Sequence, residues 1–368
     1  METSLKKVTI TGFKSIKSLV DFELGELNVL IGANGAGKSN FVDFFRMLRA
    51  IRDKSLQRFS LERGGASGFF HMGSKRTPKI SAQVVSEDCT YNFNITANTA
   101  NQMMLDEDMD CGDKGPRIHG ASQLESSIRT PRDEELRQSP STSGDGQRVY
   151  AAVPNLRVYQ FHDTSLLAMM RREQSVRDRD FLRPDASNIA PYLLRLREKH
   201  EGSYSLIRDT VRLAAPFFDD FRLEPEIKGP EELVQLEWQQ EEGGFTFQPH
   251  HLSDGTIRFI CLATALLQPV LPTTIVIDEP ELGLHPVAIG LLAGLIRSAS
   301  ARTQVIISTQ SPTLLNKFDP KDVIVVNRQA GCSTFNRLDL EMLREWLEEY
   351  SVGELWQKNV LEGGPACE

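Results

Sequence analysis

Leu27-Asn28-Val29-Leu30-Ile31-Gly32-Ala33-Asn34-Gly35-Ala36-Gly37-Lys38-Ser39 decides how this chain folds. A short apolar run with the makeup of a buried strand enters a turn carrying Gly32, Gly35 and Gly37, and the turn closes on a lysine and a serine. Beyond it Phe41, Phe44, Phe45 and Leu48 recur at spacings of three and four, which predicts a helix with one apolar face. Strand, GxxxxGK[ST] turn and helix in that order let backbone N–H groups curl around a polyphosphate, while the helix N-terminus adds partial positive charge. Lys38 would reach the β and γ phosphates and Ser39 would offer its hydroxyl to Mg2+. Gly32, Asn34, Gly35, Ala36, Gly37 and Asn40 complete the cradle. A glycine-rich turn that binds nothing is the alternative, and the strand and helix flanking it argue against that.

Upstream, the alternations Val8-Thr9-Ile10 and Val20-Asp21-Phe22-Glu23-Leu24 read as two further strands. Downstream, a β region at 78–120 holds strand-like runs Lys79–Val85 and Tyr91–Thr96. From 121 to 147 Ser, Pro, Arg, Glu and Gly dominate, as in a disordered tether. Asn155–Phe161 reads as a strand, Ile189–Lys199 and Tyr204–Leu213 as helices, and 221–247 as a second β region. The last third alternates: helix Thr256–Leu267, strand Thr274–Ile277, helix Val287–Ser298, strand Gln304–Ser308, helix Thr313–Asn316, strand Asp322–Val326, and a terminal helix around Leu340–Glu349. This pattern predicts an α/β fold: a mixed sheet with flanking helices, an antiparallel β subdomain and a helical and β insertion. The expected division is 1–77, 78–250 as the insertion, and 251–368.

With 368 residues, 42 basic against 50 acidic side chains and net charge −8, the composition is that of an ordinary globular protein rather than a nucleic-acid coat. The five cysteines form no CxxC pair and signal neither a disulfide framework nor a zinc site. The N-terminus lacks a signal-peptide core, and the apolar window Phe259–Ile277 is interrupted by Gln268, Pro269 and Pro272. A reduced, cytoplasmic chain without membrane contact is expected. Residues 46–79 are locally basic, with Arg46, Arg49, Arg52, Lys54, Arg58, Arg63, Lys75, Arg76 and Lys79 against Asp53 and Glu62. They form either a DNA contact or a solvated helix face neutralised by acids elsewhere.

Far along the chain, the apolar run Thr274–Ile277 ends in Asp278 and Glu279. Beside a phosphate loop, the first carboxylate would hold Mg2+ and the second would act as general base toward water. Leu252-Ser253-Asp254-Gly255-Thr256 opens a helix, and its serine is either a plain N-cap or part of an anion site.

The order of phosphate loop, long insertion, LSDGT, IVIDEP, Glu281-Leu282-Gly283-Leu284-His285-Pro286 and Ile306-Ile307-Ser308-Thr309-Gln310-Ser311-Pro312 resembles the ABC-type ATPase heads of the RecF/SMC/OLD group, in particular the compact bacterial AAA-family ATPases. Thr11-Gly12-Phe13-Lys14-Ser15-Ile16 is similar to the group's N-terminal strand and turn, which places Lys14 beside the nucleotide. The resemblance implies an ABC-type P-loop ATPase binding ATP and Mg2+, with Ser253 and Gly255 in a signature motif that meets the γ-phosphate held by a second head. A homodimer sandwiching ATP follows from that. Gln160 or His162 would be the glutamine-loop contact to Mg2+ and the attacking water. Gln310 stands where a switch histidine is expected, and Asp254 where transporter-type ATPases carry glycine. Glutamine cannot shuttle a proton, so slow hydrolysis is implied. The span from Ser39 to Ser253 is too short for SMC-type arms, and a nuclease or effector is expected as a separate chain. The implied role is in DNA repair, DNA maintenance or anti-phage defence, with the ATPase subunit of a membrane transporter as the alternative.

The cradle yields a direct prediction. Replacing Lys38 with alanine should leave a folded protein whose affinity for ATP falls roughly 10–100-fold, the scale of one charge-assisted phosphate contact. Isothermal calorimetry on the purified variant reads that difference.

Overall fold

The computed structural model describes residues 4–87, 89–112, 117–128, 155–240 and 244–361. Its N-terminal alternation forms β1 (Leu5–Phe13) and β2 (Ile16–Glu23), and the chain then leaves their sheet through the fully buried β3 (Leu27–Ile31). After helices α1 (Lys38–Arg52) and α2 (Leu56–Leu61), it returns to that first sheet. There β4 (Lys79–Ser86), β5 (Thr90–Ala97), β6 (Met103–Asp110) and β7 (Arg117–Gln123) extend it in the antiparallel order β2-β1-β4-β5-β6-β7. Every second residue of β4 and β5 is buried, as expected for a sheet with one packed face.

The second sheet begins again with β8 (Leu156–Tyr159). A mostly helical segment follows, containing the short β9 (Gln174–Ser175), then α3 (Ile189–Lys199) and α4 (Glu201–Ala214). Five short strands, β10 (Asp220–Arg222), β11 (Glu226–Lys228), β12 (Glu231–Val234), β13 (Glu237–Gln239) and β14 (Thr246–Phe247), form two three-stranded sheets, one of them with β9. The chain then runs α5 (Asp254–Leu267), β15 (Thr274–Asp278), α6 (Pro286–Ser300), β16 (Gln304–Thr309), α7 (Pro312–Leu315), β17 (Val323–Gln329), β18 (Cys332–Arg337), α8 (Arg344–Glu349) and α9 (Val352–Gln357). The second sheet has the order β18-β17-β3-β16-β15-β8, parallel except for the β17–β18 hairpin. Residues 78–250 thus feed both sheets as well as the helical layer.

The central strands face two cores. Leu30, Val276, Ile306 and Ile324 pack toward α1 and the antiparallel sheet, whereas Val29, Ile31, Ile277 and Ile307 pack toward α3 to α6. Helix α1 is therefore enclosed between two sheets, which explains its phenylalanines. Phe44 stacks on Phe93 of β5 at 6.2 Å between ring centroids and meets Phe13 edge-on at 5.9 Å. These rings are core, as their spacing suggested.

The structure differs from the sequence expectations at identifiable places. The first part of the expected tether is built into the fold: β7 runs to Gln123, Glu125 accepts hydrogen bonds from the Leu56 and Gln57 amides, and Ile128 is fully buried. The remainder of that segment lies outside the described residues. Cys89 and Cys111 form a disulfide, correcting the reading of a chain without one. They flank the paired ends of β5 and β6, where Thr90 faces Asp110, a proximity that sequence spacing does not announce. Among the described residues no helix is long and apolar enough to cross a membrane.

Gln304 ties the two sheets together. Its buried side chain donates to the Leu5 carbonyl at 2.7 Å and the Gly25 carbonyl at 2.9 Å, and accepts from the Leu5 amide and the Thr274 hydroxyl. Leucine has similar bulk and no such groups, so Gln304→Leu strands two carbonyls and an amide. We expect a loss of about 2–4 kcal/mol, measured by urea unfolding.

Candidate functional site

Parallel strands deliver their loops to one edge of a sheet. Ile31 at the end of β3 lies opposite Thr309 of β16, and Ser308 lies opposite Asp278 of β15. The phosphate loop after β3, the carboxylates at the end of β15 and Gln310 after β16 therefore meet. Asn34, Gly35, Gly37, Lys38, Ser39, Asn40, Glu279, Gln310 and Arg328 line a single open cleft of about 200 Å³.

The loop's shape is enforced sterically. A side chain on Gly32 would meet the Val326 carbonyl at 2.3 Å, and one on Gly37, whose φ is +116°, would strike the Ser333 hydroxyl at 2.0 Å. Ala36 is buried beneath, its carbonyl accepting from Ser333. Asn40 donates to the Ser15 hydroxyl at 2.6 Å, which fixes the first turn of α1 against the β1–β2 turn. The Lys38 ammonium is buried and donates to the carbonyls of Gly32 at 2.6 Å and Ala33 at 3.1 Å. Burial lowers its pKa, opposed by the charges of Glu279, Asp278 and Glu281. It is a cation held by two loop carbonyls with three carboxylates close by.

The acidic side is equally constrained. Asp278 is buried and accepts from the Ser308 hydroxyl, with the Arg46 guanidinium 3.9 Å from its other oxygen. Glu279 sits at a φ of +47°, a left-handed conformation costly for a residue with a side chain, and the Gln310 amide donates to its carboxylate. Glu281, to which the sequence reading gave no role, accepts from the Thr309 hydroxyl at 2.6 Å and the Gln310 amide N–H at 3.2 Å. Burial raises its pKa, and its second carboxylate oxygen is buried without a partner. Glu281 thus sets the backbone of Gln310, which in turn holds Glu279.

These residues suit the groups that the phosphate loop implies. Ser39 is exposed in the cleft and Asp278 lies across from it on β15, a hard oxygen pair of the kind Mg2+ accepts when phosphates and water fill its other positions. Among the described residues no cluster of three or more His, Cys, Asp or Glu side chains is placed to hold a metal ion.

Other expected residues fall elsewhere. Lys14, with a φ of +48°, pairs with Asp43 on α1 and lies over Phe69, outside the cleft lining. Gln160 lines a neighbouring cleft, accepts from Arg46 at 2.7 Å and contacts His162 at 3.1 Å, while the other His162 nitrogen meets the Asp278 carbonyl at 3.1 Å. Both glutamine-loop candidates therefore touch the carboxylate site indirectly. Ser253 and Gly255 line a separate pocket of about 110 Å³ with Gly283 and His285. Ser253 caps α5, its hydroxyl accepting from the Thr256 amide at 3.1 Å, and stays exposed to solvent. Gly255 approaches so closely that a Cβ would lie 2.3 Å from the Gly283 carbonyl.

Two buried arginines were invisible in the sequence. Arg171 donates to the carbonyls of Thr164, Pro249 and Leu252 and pairs with Asp254 at 2.9 Å. It explains the aspartate that stands in place of glycine. Arg258 binds the carbonyls of Phe161, His162 and Leu282, joining the signature helix to both neighbouring loops. The basic stretch is divided: on α1 the half-buried Arg46 pairs with Asp43 and Arg49 with Asp53, whereas Arg58, Arg63, Lys75, Arg76 and Lys79 are exposed, Arg58 pairing with Glu62 at the surface. Arg52 is buried and donates to Asn155 at 2.9 Å, so it cannot face DNA.

Comparison with known proteins accords with this geometry. Residues 27–101 and 124–316, more than half of the chain, match the family described as "AAA domain, putative AbiEii toxin, Type IV TA system". A stretch of 43 residues, 11% of this chain, is 54% identical to the chromosome partition protein Smc of Desulfitobacterium hafniense and spans 4% of that protein's length. A solved Smc head bound to the C-terminal winged-helix domain of ScpA superposes with a TM-score of 0.60 at 16% identity, covering 93% of this chain and 99% of the other. An Smc head with an extended coiled coil, bound to the C-terminal domain of ScpA from Pyrococcus furiosus, gives 0.56 at 15%, covering 94% and 99%. The fold is therefore that of SMC ATPase heads, a P-loop NTPase fold. The transporter alternative gains no support from these matches.

The Arg171 contacts can be tested by stability. Arg171→Met leaves three carbonyls without their donor and should cost about 2–4 kcal/mol in urea unfolding. Asp254→Ala removes only a solvent-exposed partner and should cost about 1 kcal/mol or less.

Proposed function

The chain belongs to this AAA-domain family, and we propose that it works as an ABC-type ATPase head that binds ATP with Mg2+, hydrolyses it slowly and dimerises around it. The observation that carries the reading is the convergence of Lys38, Ser39, Glu279 and Gln310 on one cleft, with Asp278 at its edge. Bound Mg2+, held by Ser39 and Asp278, would neutralise the phosphate charge. Lys38 and the glycine-loop amides would hold the β and γ phosphates. Glu279 would accept the proton of the attacking water, and Gln310, already donating to that carboxylate, would orient it.

What is missing from one head is a group on the far side of the γ-phosphate. Ser253 and Gly255 line a different pocket from Lys38, which suits delivery of the signature serine by a second copy. Supporting this is the exposed position of Ser253 at the start of α5, with Arg171 and Asp254 bracing the loop behind it. We place the output of the cycle in DNA maintenance or anti-phage defence, through a separate effector or nuclease that reads head engagement. The kinship of the fold to Smc heads captured with ScpA domains supports such a partner.

Glu279→Gln keeps the shape of the side chain but removes its proton affinity. That protein should bind ATP, turn it over at least 100-fold more slowly and pass from monomer to dimer in ATP and Mg2+. Adding Ser253→Arg should abolish the dimer while ATP binding persists. Light scattering with and without nucleotide reads both outcomes. A Glu279→Gln protein that stays monomeric in saturating ATP at micromolar concentration would count against the composite site.

A further inference from the structure

A second cleft, larger than the first, opens behind Gln160. It measures about 530 Å³ and lies between α1, α2 and the loop ending at Asp185, which is hydrogen-bonded to β8 through the Gln160 amide and the Pro184 carbonyl at 2.9 Å. Its size falls in the range of about 300–1,000 Å³ typical of small-molecule sites. We infer that this cleft is a second phosphate site, built to take a nucleotide unit with its phosphate among Arg49, Arg63 and Arg183 and its base against Phe181.

Charge is the first argument. Five arginines line the cleft, at positions 46, 49, 58, 63 and 183, against three carboxylates, Asp53, Glu62 and Asp185. This occurs in a chain whose net charge is −8. The local pairs, Arg49 with Asp53 at 3.2 Å and Arg183 with Asp178 at 2.7 Å, join partly exposed groups. Pairs of that kind contribute about 0–1 kcal/mol, so a phosphate that accepts bidentate bonds from two guanidinium groups can displace them. Burial, Arg49 and Arg52 lower the pKa of Arg157 next to the cleft, opposed by Tyr159 and Asp53.

The aromatic wall is the second argument. Phe181 is 48% exposed, a large apolar surface for a residue at a cleft mouth. The Arg157 guanidinium lies 4.6 Å from the centre of its ring, holding the ring in place. A half-open aromatic face beside several arginines matches a planar base joined to a phosphate. The unit recognised is either a free mononucleotide or the phosphorylated end of a strand.

The site shares no residue with the lining of the Lys38 cleft, so it stands whether or not ATP is the ligand there. Thymidine 5′-monophosphate and 5′-phosphorylated tetrathymidylate serve as probes, titrated by calorimetry into the full chain with saturating ADP and Mg2+ present. The parent should bind at least one of them, and which one identifies the source of the unit. Arg49→Glu combined with Arg183→Glu should weaken that binding at least tenfold, and Phe181→Ala should reduce the preference for thymidine monophosphate over inorganic phosphate. Should the double reversal unfold the protein, the neutral pair Arg49→Gln and Arg183→Gln, checked by circular dichroism, gives the same comparison. Failure of the parent to bind either probe overturns the inference, as does equal binding by folded parent and variant.

Discussion

The parallel register of β3, β16 and β15 is the constraint on which the rest of this molecule depends. Ile31, Thr309, Ser308 and Asp278 are brought level by main-chain hydrogen bonds alone, although the chain between β3 and β15 spans most of the protein. A slip of one residue would move Asp278 from its place against Ser308 and turn alternate side chains to the opposite core. The burial on both faces of these strands makes such a slip costly. Gln304, at the opposite end of β16, fastens the same strand to β1 and to Thr274.

From that edge the electrostatics follow. A buried ammonium and three carboxylates would be unstable as isolated charges, yet each has a counterweight in hand. Lys38 rests on two loop carbonyls, Asp278 on Ser308 with Arg46 nearby, and Glu279 on Gln310. Within this group the second oxygen of Glu281 is buried without a partner. The arrangement is preorganised: these groups are held by protein partners rather than left to be ordered.

Much of this was legible in the sequence because periodicity and turn chemistry act locally. The strand, glycine turn and phenylalanine face of α1 declared themselves, as did the alternation of strands and helices in the last third. What was hidden depends on contacts between distant segments. The hairpin at Ala330 and Gly331 was missed, although its left-handed turn carries a glycine, because β18 alternates weakly in hydropathy. Helix α2 is six residues long, too short to show a period. Arginine is the plainest case: Arg52, Arg171 and Arg258 look like surface residues in a sequence, and only the assembled fold reveals carbonyls and a side-chain oxygen waiting for them. The same blindness made Arg46, Arg49 and Arg52 on α1 look more accessible than they are.

The left-handed backbone at Glu279 bears on the genetics of this protein. At a φ of +47° a β-branched side chain collides with its own main chain, whereas glycine, asparagine and aspartate are tolerated. Random mutation at this codon therefore divides into two classes. Exchanges to valine disturb the strand end itself and reduce the amount of folded protein. Exchanges to glycine, aspartate or glutamine keep the backbone conformation and change the group that meets Gln310. Variants at this codon would thus separate by the amount of folded protein they leave, a division written into one dihedral angle.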